Sequence, residues 1–578
     1  MIHSRSYTSA TSSDNAFARP NTALLWTLLA LSAAALLLRS FRLGWQPLWW
    51  DEGYSIYFAT EPLPRMVWLT ARDIHPPLYY ALLHVWLALV DSAAPEPARG
   101  FSILCGALAI PALAWFAHSL LPARPRVALL AAFLLAINPL HLYYSQEIRM
   151  YGLALLLALL ATLAFWRLVV KLRSDTAASA MALPWLAYVI GSTLALYTVY
   201  YTGFLLAAHC LWAGWRFRRA PRALFWLAGA ALAILLLQAP WWSYTLPKLI
   251  PYVADKVIAD QDTALPPWDY LWRHAVAFTG GHLPASWPWL EAARIGGVIT
   301  LALLPLPWRK PGHNAGEAST QGDRDIASAL AAFTLVPLLL GFLVNLRLPF
   351  FPDGGERLLL FVLPYLLLWL AWAWSLALER RTAWSWLGLP VILAAVAGLV
   401  TFYTVPRYSD HDYRPLIRYV TQHSRATDTV FAIFPWQVGY WRAYGVRSNG
   451  GWLPPQPAPL GQQALEWGPA VEEQLSAALA EGTVWFPAPL SFGSRLPGQV
   501  EGYLSAHARN LESRWFSPAT RLSAWTALSP PAASPATALP ADFGAVTLLS
   551  AAAGPSPVTA DNHPLAVDLT WDTLPAEP

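Results

Sequence analysis

Residues 127–170 read VALLAAFLLAINPLHLYYS, QEIR, MYGLALLLALLATLAFWRLVV: two apolar runs, Val127–Ser145 and Met150–Val170, with only Gln146–Arg149 between them. Each run is close to the ~20 residues an α-helix needs to cross a hydrocarbon core of ~30 Å. No soluble domain fits between them, so the pair reads as a hairpin of membrane helices. Working outward, further apolar runs fall at 22–41, 99–121, 184–198, 199–215, 223–240, 288–308, 327–346, 358–378 and 384–404. About eleven spans are therefore expected. The first follows a polar, Arg-containing leader and reads as an uncleaved anchor. Pro76–Val90 is apolar but short for a span, and is assigned to the first outer loop.

The composition agrees. Of 578 residues, 56% are hydrophobic and 12% charged, about half the ~25% charge of an ordinary soluble chain. This excludes a disordered protein, a nucleic-acid binder with a basic stripe, and a string of cytosolic domains. The charge is also divided along the chain, net +8 before Val405 and −4 from there onward. Cys105 and Cys210 both lie in apolar runs and make no disulfide framework.

Lys and Arg mark cytoplasmic loops. The segments with Arg124/Arg126, Lys171/Arg173, Arg216/Arg218/Arg219/Arg222, Arg309/Lys310 and Arg380/Arg381 are placed inside. That puts the N-terminus in the cytoplasm and Val405–Pro578 outside. Arg39 and Arg42, at the outer end of the first run, go against the rule.

In this topology three polar patches share the outer face. The first loop carries Trp49-Trp50-Asp51-Glu52 and, further on, Asp73-Ile74-His75-Pro76-Pro77. The second, Ser145-Gln146-Glu147-Ile148-Arg149-Met150-Tyr151, sits at the membrane boundary. A third, Arg347–Arg357, ends in Glu356-Arg357 and runs straight into the helix expected at Leu358–Leu378. Ionisable residues at membrane depth are costly and mark function. An Arg in the first turn of a membrane helix, beside free amides, suits a phosphate. Together the patches supply carboxylates to deprotonate a hydroxyl and cations to hold an anionic phosphate.

Beyond Thr404 the chain turns polar. Helices are expected at Tyr413–His423, Trp436–Tyr444 and Ala470–Ala480, with strands at Thr429–Phe434 and Gly482–Phe486. That alternation reads as an extracytoplasmic α/β domain over 405–530. A linker at Ser529–Pro540 leads to a partial β-rich segment, so 531–578 is set apart from it and from the membrane domain 1–404.

At these residues the sequence resembles the polytopic GT-C-fold glycosyltransferases, most closely glycosyltransferase family 39, the protein O-mannosyltransferase and aminoarabinose transferase group. The matching stretches are Trp50-Asp51-Glu52, His75-Pro76-Pro77-Leu78, Ser145–Tyr151, Leu196–Tyr201 and Glu356–Pro364, covering roughly Leu25–Tyr403. The resemblance implies a polyprenyl-phosphate sugar donor used at the outer face, with Asp51 as the acidic catalytic residue and Glu52 as its neighbour. It implies donor phosphate or substrate contacts at His75, Glu147, Arg149, Tyr151, Tyr201, Glu356 and Arg357. Leu358 follows Arg357 where the family more often has Tyr. The reaction implied is a single displacement with inversion and no cofactor. Asp51, Glu52 and Glu147 are hard oxygen ligands that leave a divalent metal open, but the family generally works without one and none is expected. The acceptor, whether protein, glycolipid or surface polymer, stays open, and the plasma membrane is the expected location. A transporter or flippase of a lipid-linked substrate is the rival reading. It would place ionisable groups at the bilayer midplane in repeated halves, and no such halves are visible.

Overall fold

The computed structural model describes residues 22–173, 177–260, 263–282, 291–292, 295–298, 317–348, 354–380, 385–386, 388–444, 459–460, 467–490, 495–528, 541–542, 547–553 and 567–571. It divides into two compact units, with the boundaries after Gln46, Tyr57 and Arg407. The larger unit holds the membrane helices. The smaller holds the C-terminal region and, with it, Pro47–Tyr57.

Among the described residues, eight helices are long and apolar enough to cross a membrane, and nine if the bent pair Pro125–Ile137 and Pro139–Ser145 counts as one span. The protein is an integral membrane protein. The run expected at 199–215 is the 14-residue helix Gly203–Arg216, and most of the run at 288–308 lies outside the described residues. The run at 223–240 belongs to a longer helix, Pro221–Asp260. Pro76–Val90 forms the 13-residue helix Leu78–Val90, about 20 Å long at 1.5 Å per residue.

Two local departures from the expected helices matter for function. The run Val127–Ser145 is bent by 60° because Asn138 precedes a proline, which disfavours the α region there. Asn138 is extended, and its side chain caps the next helix by accepting from the His141 amide at 3.0 Å. Two carbonyls at the end of Pro125–Ile137 accept from Arg39, with Nη1 at 3.0 Å from the Ala136 oxygen and Nη2 at 3.3 Å from that of Leu135. Arg39 is fully buried. Its conflict with the charge rule dissolves, because it caps a broken helix and is no loop charge. Arg42 is likewise engaged, donating to the Tyr403 carbonyl at 2.7 Å and lying over Trp45.

The second departure concerns the helix expected from Leu358. Gly355–Val362 is a 3-10 helix, and the α-helix begins only at Leu363. Pro364 fits the first α-helical turn, but its ring clashes with a continuous helix before it. Arg357 therefore sits in the 3-10 segment and not at the amides of an α-helix.

The helix Tyr151–Arg173 has 23 residues, about 34 Å, and separates two kinds of charge. At its C-terminal end Arg173 and Arg216 both reach Asp325, at 3.2 and 3.0 Å, and Arg124 reaches Asp323 at 3.5 Å. Three of the basic segments assigned to the cytoplasm thus share one end of the bundle. Arg149 and Tyr151 lie at the other end of the same helix.

In the smaller unit a five-stranded sheet has the order β2-β1-β3-β5-β4. The strands are β1 Thr429–Phe431, β2 Pro459–Leu460, β3 Val484–Pro489, β4 Ala508–Ser517 and β5 Thr520–Ala527. β1 pairs in parallel with β2 and β3, while β5 is antiparallel to both β3 and β4. The helices Pro469–Glu481 and Leu496–His507 cover it through Val471, Leu475, Val500 and Leu504, packed with Phe431, Val484 and Phe486. Three short strands, Ala541–Asp542, Thr547–Ala553 and Val567–Trp571, form a separate sheet. The expected linker at Ser529–Pro540 lies outside the described residues.

Candidate functional site

The sequence-predicted residues fall in both units. Asp51 and Glu52 belong to the smaller one. They occupy the first turn of the helix Trp50–Thr60, where the helix dipole favours carboxylates. Both are buried, Glu52 at 1% and Asp51 at 7% exposure. Ser55 Oγ donates to the Asp51 carbonyl at 3.0 Å and holds that turn.

What positions this turn is a close crossing with the helix Pro435–Tyr444. A Cβ on Gly439 would stand 1.9 Å from the Gly53 carbonyl oxygen, and one on Gly53 would stand 2.6 Å from that of Trp436. Only glycine allows two backbones this near. Around the crossing, the Tyr444 hydroxyl accepts from the Leu48 amide at 2.6 Å and Tyr408 stacks on Trp49 at 5.2 Å. Tyr440 packs beside Gly53. Burial pushes its phenol well above the ordinary value, with Tyr444, Tyr413, Glu52 and Asp51 adding in the same direction. Tyr440 thus interacts electrostatically with the acidic pair, and sequence reading missed it.

The other residues lie in the membrane unit, and most of them gather around Tyr151. Arg357 Nε donates to the Tyr151 hydroxyl at 3.0 Å. The guanidinium carbons of Arg357 and Arg149 each lie 5.9 Å from the centre of the Tyr151 ring. Two cations thus flank one aromatic ring. Tyr144 packs edge-on against the same ring at 5.1 Å and donates to the Gly354 carbonyl at 3.3 Å, tying the 3-10 segment to the second loop. Arg149 Nη2 is 3.0 Å from His75 Nε2, and His75 Nδ1 is 2.9 Å from Asp73 Oδ2. Burial opposes ionisation of Asp73, yet His75, the Ile74 amide and Arg149 together hold its carboxyl below the usual value.

Glu147 and Glu356 are buried at 3% and 4% exposure. Glu147 interacts electrostatically with Tyr144, and Glu356 and Tyr201 with Tyr270. Tyr201 sits in the 3-10 turn Tyr200–Thr202 and packs on Phe204 at 5.2 Å. Asp73 lies in the quoted first-loop stretch, but the sequence reading assigned it no role. Its spacing two residues before His75 was the available signal. Among the described residues no group of three or more His, Cys, Asp or Glu is arranged to hold a metal.

The architecture is that of a polytopic GT-C-like membrane protein with a small C-terminal sheet region, the fold class implied by the loop motifs. The chain is similar to ArnT from Cupriavidus metallidurans in the apo state, with 14% identity, a TM-score of 0.51, and coverage of 87% of this chain and 98% of that one. It is similar to the same protein bound to undecaprenyl phosphate, with a TM-score of 0.52 at the same identity and coverage. No protein-family description matches the chain, and no curated protein matches it in sequence.

Proposed function

We propose that the protein is a glycosyltransferase that moves a sugar from a polyprenyl-phosphate-linked donor to an acceptor hydroxyl at the extracytoplasmic face of the membrane. The observation that carries this reading is the pair of guanidinium groups, Arg149 and Arg357, converging on Tyr151 at one end of the bundle. Likeness in fold to an ArnT structure that holds undecaprenyl phosphate supports a lipid phosphate as their ligand. The basic residues Arg124, Arg173 and Arg216 gather at the opposite end of the helix Tyr151–Arg173. The positive-inside rule assigns that end to the cytoplasm and the Tyr151 end to the outside.

The chemistry then divides between two tasks. An acceptor hydroxyl is a poor nucleophile near neutral pH, and a carboxylate that takes its proton in the transition state accelerates attack. Asp51 has that role, with Glu52 beside it. The leaving group is a phosphate already able to carry charge, so it needs cations more than an acid. Arg357 and Arg149 meet the charge that grows on it, with His75 behind Arg149. A single displacement inverts the anomeric carbon.

The test is transfer of a radiolabelled sugar from a polyprenyl-phosphate donor into membrane extract by the purified protein. Wild type should move label out of the donor, and the Arg149→Ala/Arg357→Ala double variant should not. A wild type that leaves the donor intact with every acceptor class supplied counts against the proposal.

A further inference from the structure

The segment between the helices Leu63–Thr70 and Leu78–Val90 holds a chain of hydrogen bonds that the proposed mechanism does not yet use. Asp73 Oδ1 accepts from the Ile74 amide at 2.8 Å, which pins the carboxylate in its own turn. Oδ2 faces His75 Nδ1 at 2.9 Å, and His75 Nε2 faces Arg149 Nη2 at 3.0 Å. A guanidinium has donors only and stays charged. His75 Nε2 must therefore accept, which leaves the ring proton on Nδ1, donated to Asp73. One tautomer satisfies both contacts, with the Nε2 lone pair toward Arg149. In the other tautomer Nε2–H would oppose the Arg149 N–H, and Nδ1 would present a lone pair to a carboxylate. Both hydrogen bonds would fail together.

We propose that Asp73 is a positioning residue. By holding the His75 proton on Nδ1, it keeps Nε2 as the acceptor that aims the Arg149 guanidinium at the donor phosphate. This rests on the reading that Arg149 binds that phosphate. Asp73 itself touches neither donor nor acceptor. Arg357 is held instead by the Tyr151 hydroxyl, at 3.0 Å from its Nε, and does not depend on Asp73.

Binding of undecaprenyl phosphate, without sugar, to the full-length detergent-purified protein tests this. Asp73→Ala should weaken binding about tenfold to a hundredfold, the loss expected for one charge-assisted hydrogen bond. Asp73→Asn keeps a carbonyl oxygen for Nδ1–H and should bind within about threefold of wild type. In an Arg149→Ala background, Asp73→Ala should add no further loss, because its effect passes through that guanidinium. Elution as a single monodisperse peak and unchanged melting confirm that each variant is folded. If Asp73→Ala does not fold, Asp73→Leu, which fills the site but cannot accept from Nδ1–H, carries the same comparison alone and with Arg149→Ala. Wild-type affinity in Asp73→Ala, equal losses in the Ala and Asn variants, or additive losses with Arg149→Ala overturn the inference alone. A wild type that does not bind undecaprenyl phosphate overturns the phosphate reading and the inference with it.

Discussion

Replacing Gly439 with alanine should impair transfer far more than it impairs folding. The added methyl would stand 1.9 Å from the Gly53 carbonyl oxygen, 2.7 Å from its carbon and 3.1 Å from its Cα. All three are backbone atoms, so no side-chain rotation relieves the clash. An ordinary contact begins near 3.4 Å, and the two helices must therefore part by about 1.5 Å at the crossing. Overpacking of this kind costs about 1–3 kcal/mol, which a sheet domain with its own buried core tolerates. With Asp51 as the proposed base, the acidic turn has no such tolerance, since misplacing a reacting group by ~1 Å costs on the order of a hundredfold in rate. Steady-state transfer of labelled sugar should show a kcat lower by about that factor, with undecaprenyl phosphate binding unchanged because the phosphate residues lie in the other unit. Full kcat in a folded Gly439→Ala protein would refute the idea that this crossing sets the position of the acidic pair.

Tyr151→Phe keeps the ring between the two guanidinium groups but removes the acceptor of Arg357 Nε, and should raise the donor KM about fivefold to tenfold with a smaller change in kcat, read from initial rates. Arg39→Met removes the donor to the Ala136 carbonyl and to His141 and one donor to the Leu135 carbonyl, and should cost about 2–4 kcal/mol, visible as a lower melting temperature in detergent. Asp325→Asn weakens two bridges whose arginines are roughly 30% exposed. It should cost no more than about 1 kcal/mol and leave the transfer rate near wild type, because those residues lie at the far end of the bundle from Tyr151.

How much of this was legible beforehand depended on whether local pattern or tertiary contact decided the matter. Long apolar runs such as Met150–Val170 announced their helices because hydrophobicity over ~20 residues is itself the physical requirement. The break at Asn138-Pro139 was equally local, and the proline was in plain view, but a run of apolar letters hid it. Arg39 looked like a misplaced loop charge because its partners lie about a hundred residues away, at carbonyls that exist only once that helix is broken. Arg357 was expected in an α-helical first turn, whereas Pro364 imposes a 3-10 segment there. Asp51 and Glu52 were visible as an acidic pair after two tryptophans. No pattern could show that they group with the C-terminal unit, since that follows from Gly53 meeting Gly439 across nearly four hundred residues. The gathering of Arg149, Arg357 and Tyr151 was likewise a matter of chain folding, for which the motifs supplied the residue types but not the distances.

The proposed transfer from a lipid phosphate needs Asp51 as its base. The most direct measurement compares wild type with Asp51→Asn in proteoliposomes carrying a labelled polyprenyl-phosphate sugar, reading undecaprenyl phosphate binding and label transfer on the same preparations. Lipid-phosphate binding should be equal in the two, and the transfer rate should be lower by about a hundredfold or more in the variant. Transfer at the wild-type rate by Asp51→Asn would contradict that role for Asp51.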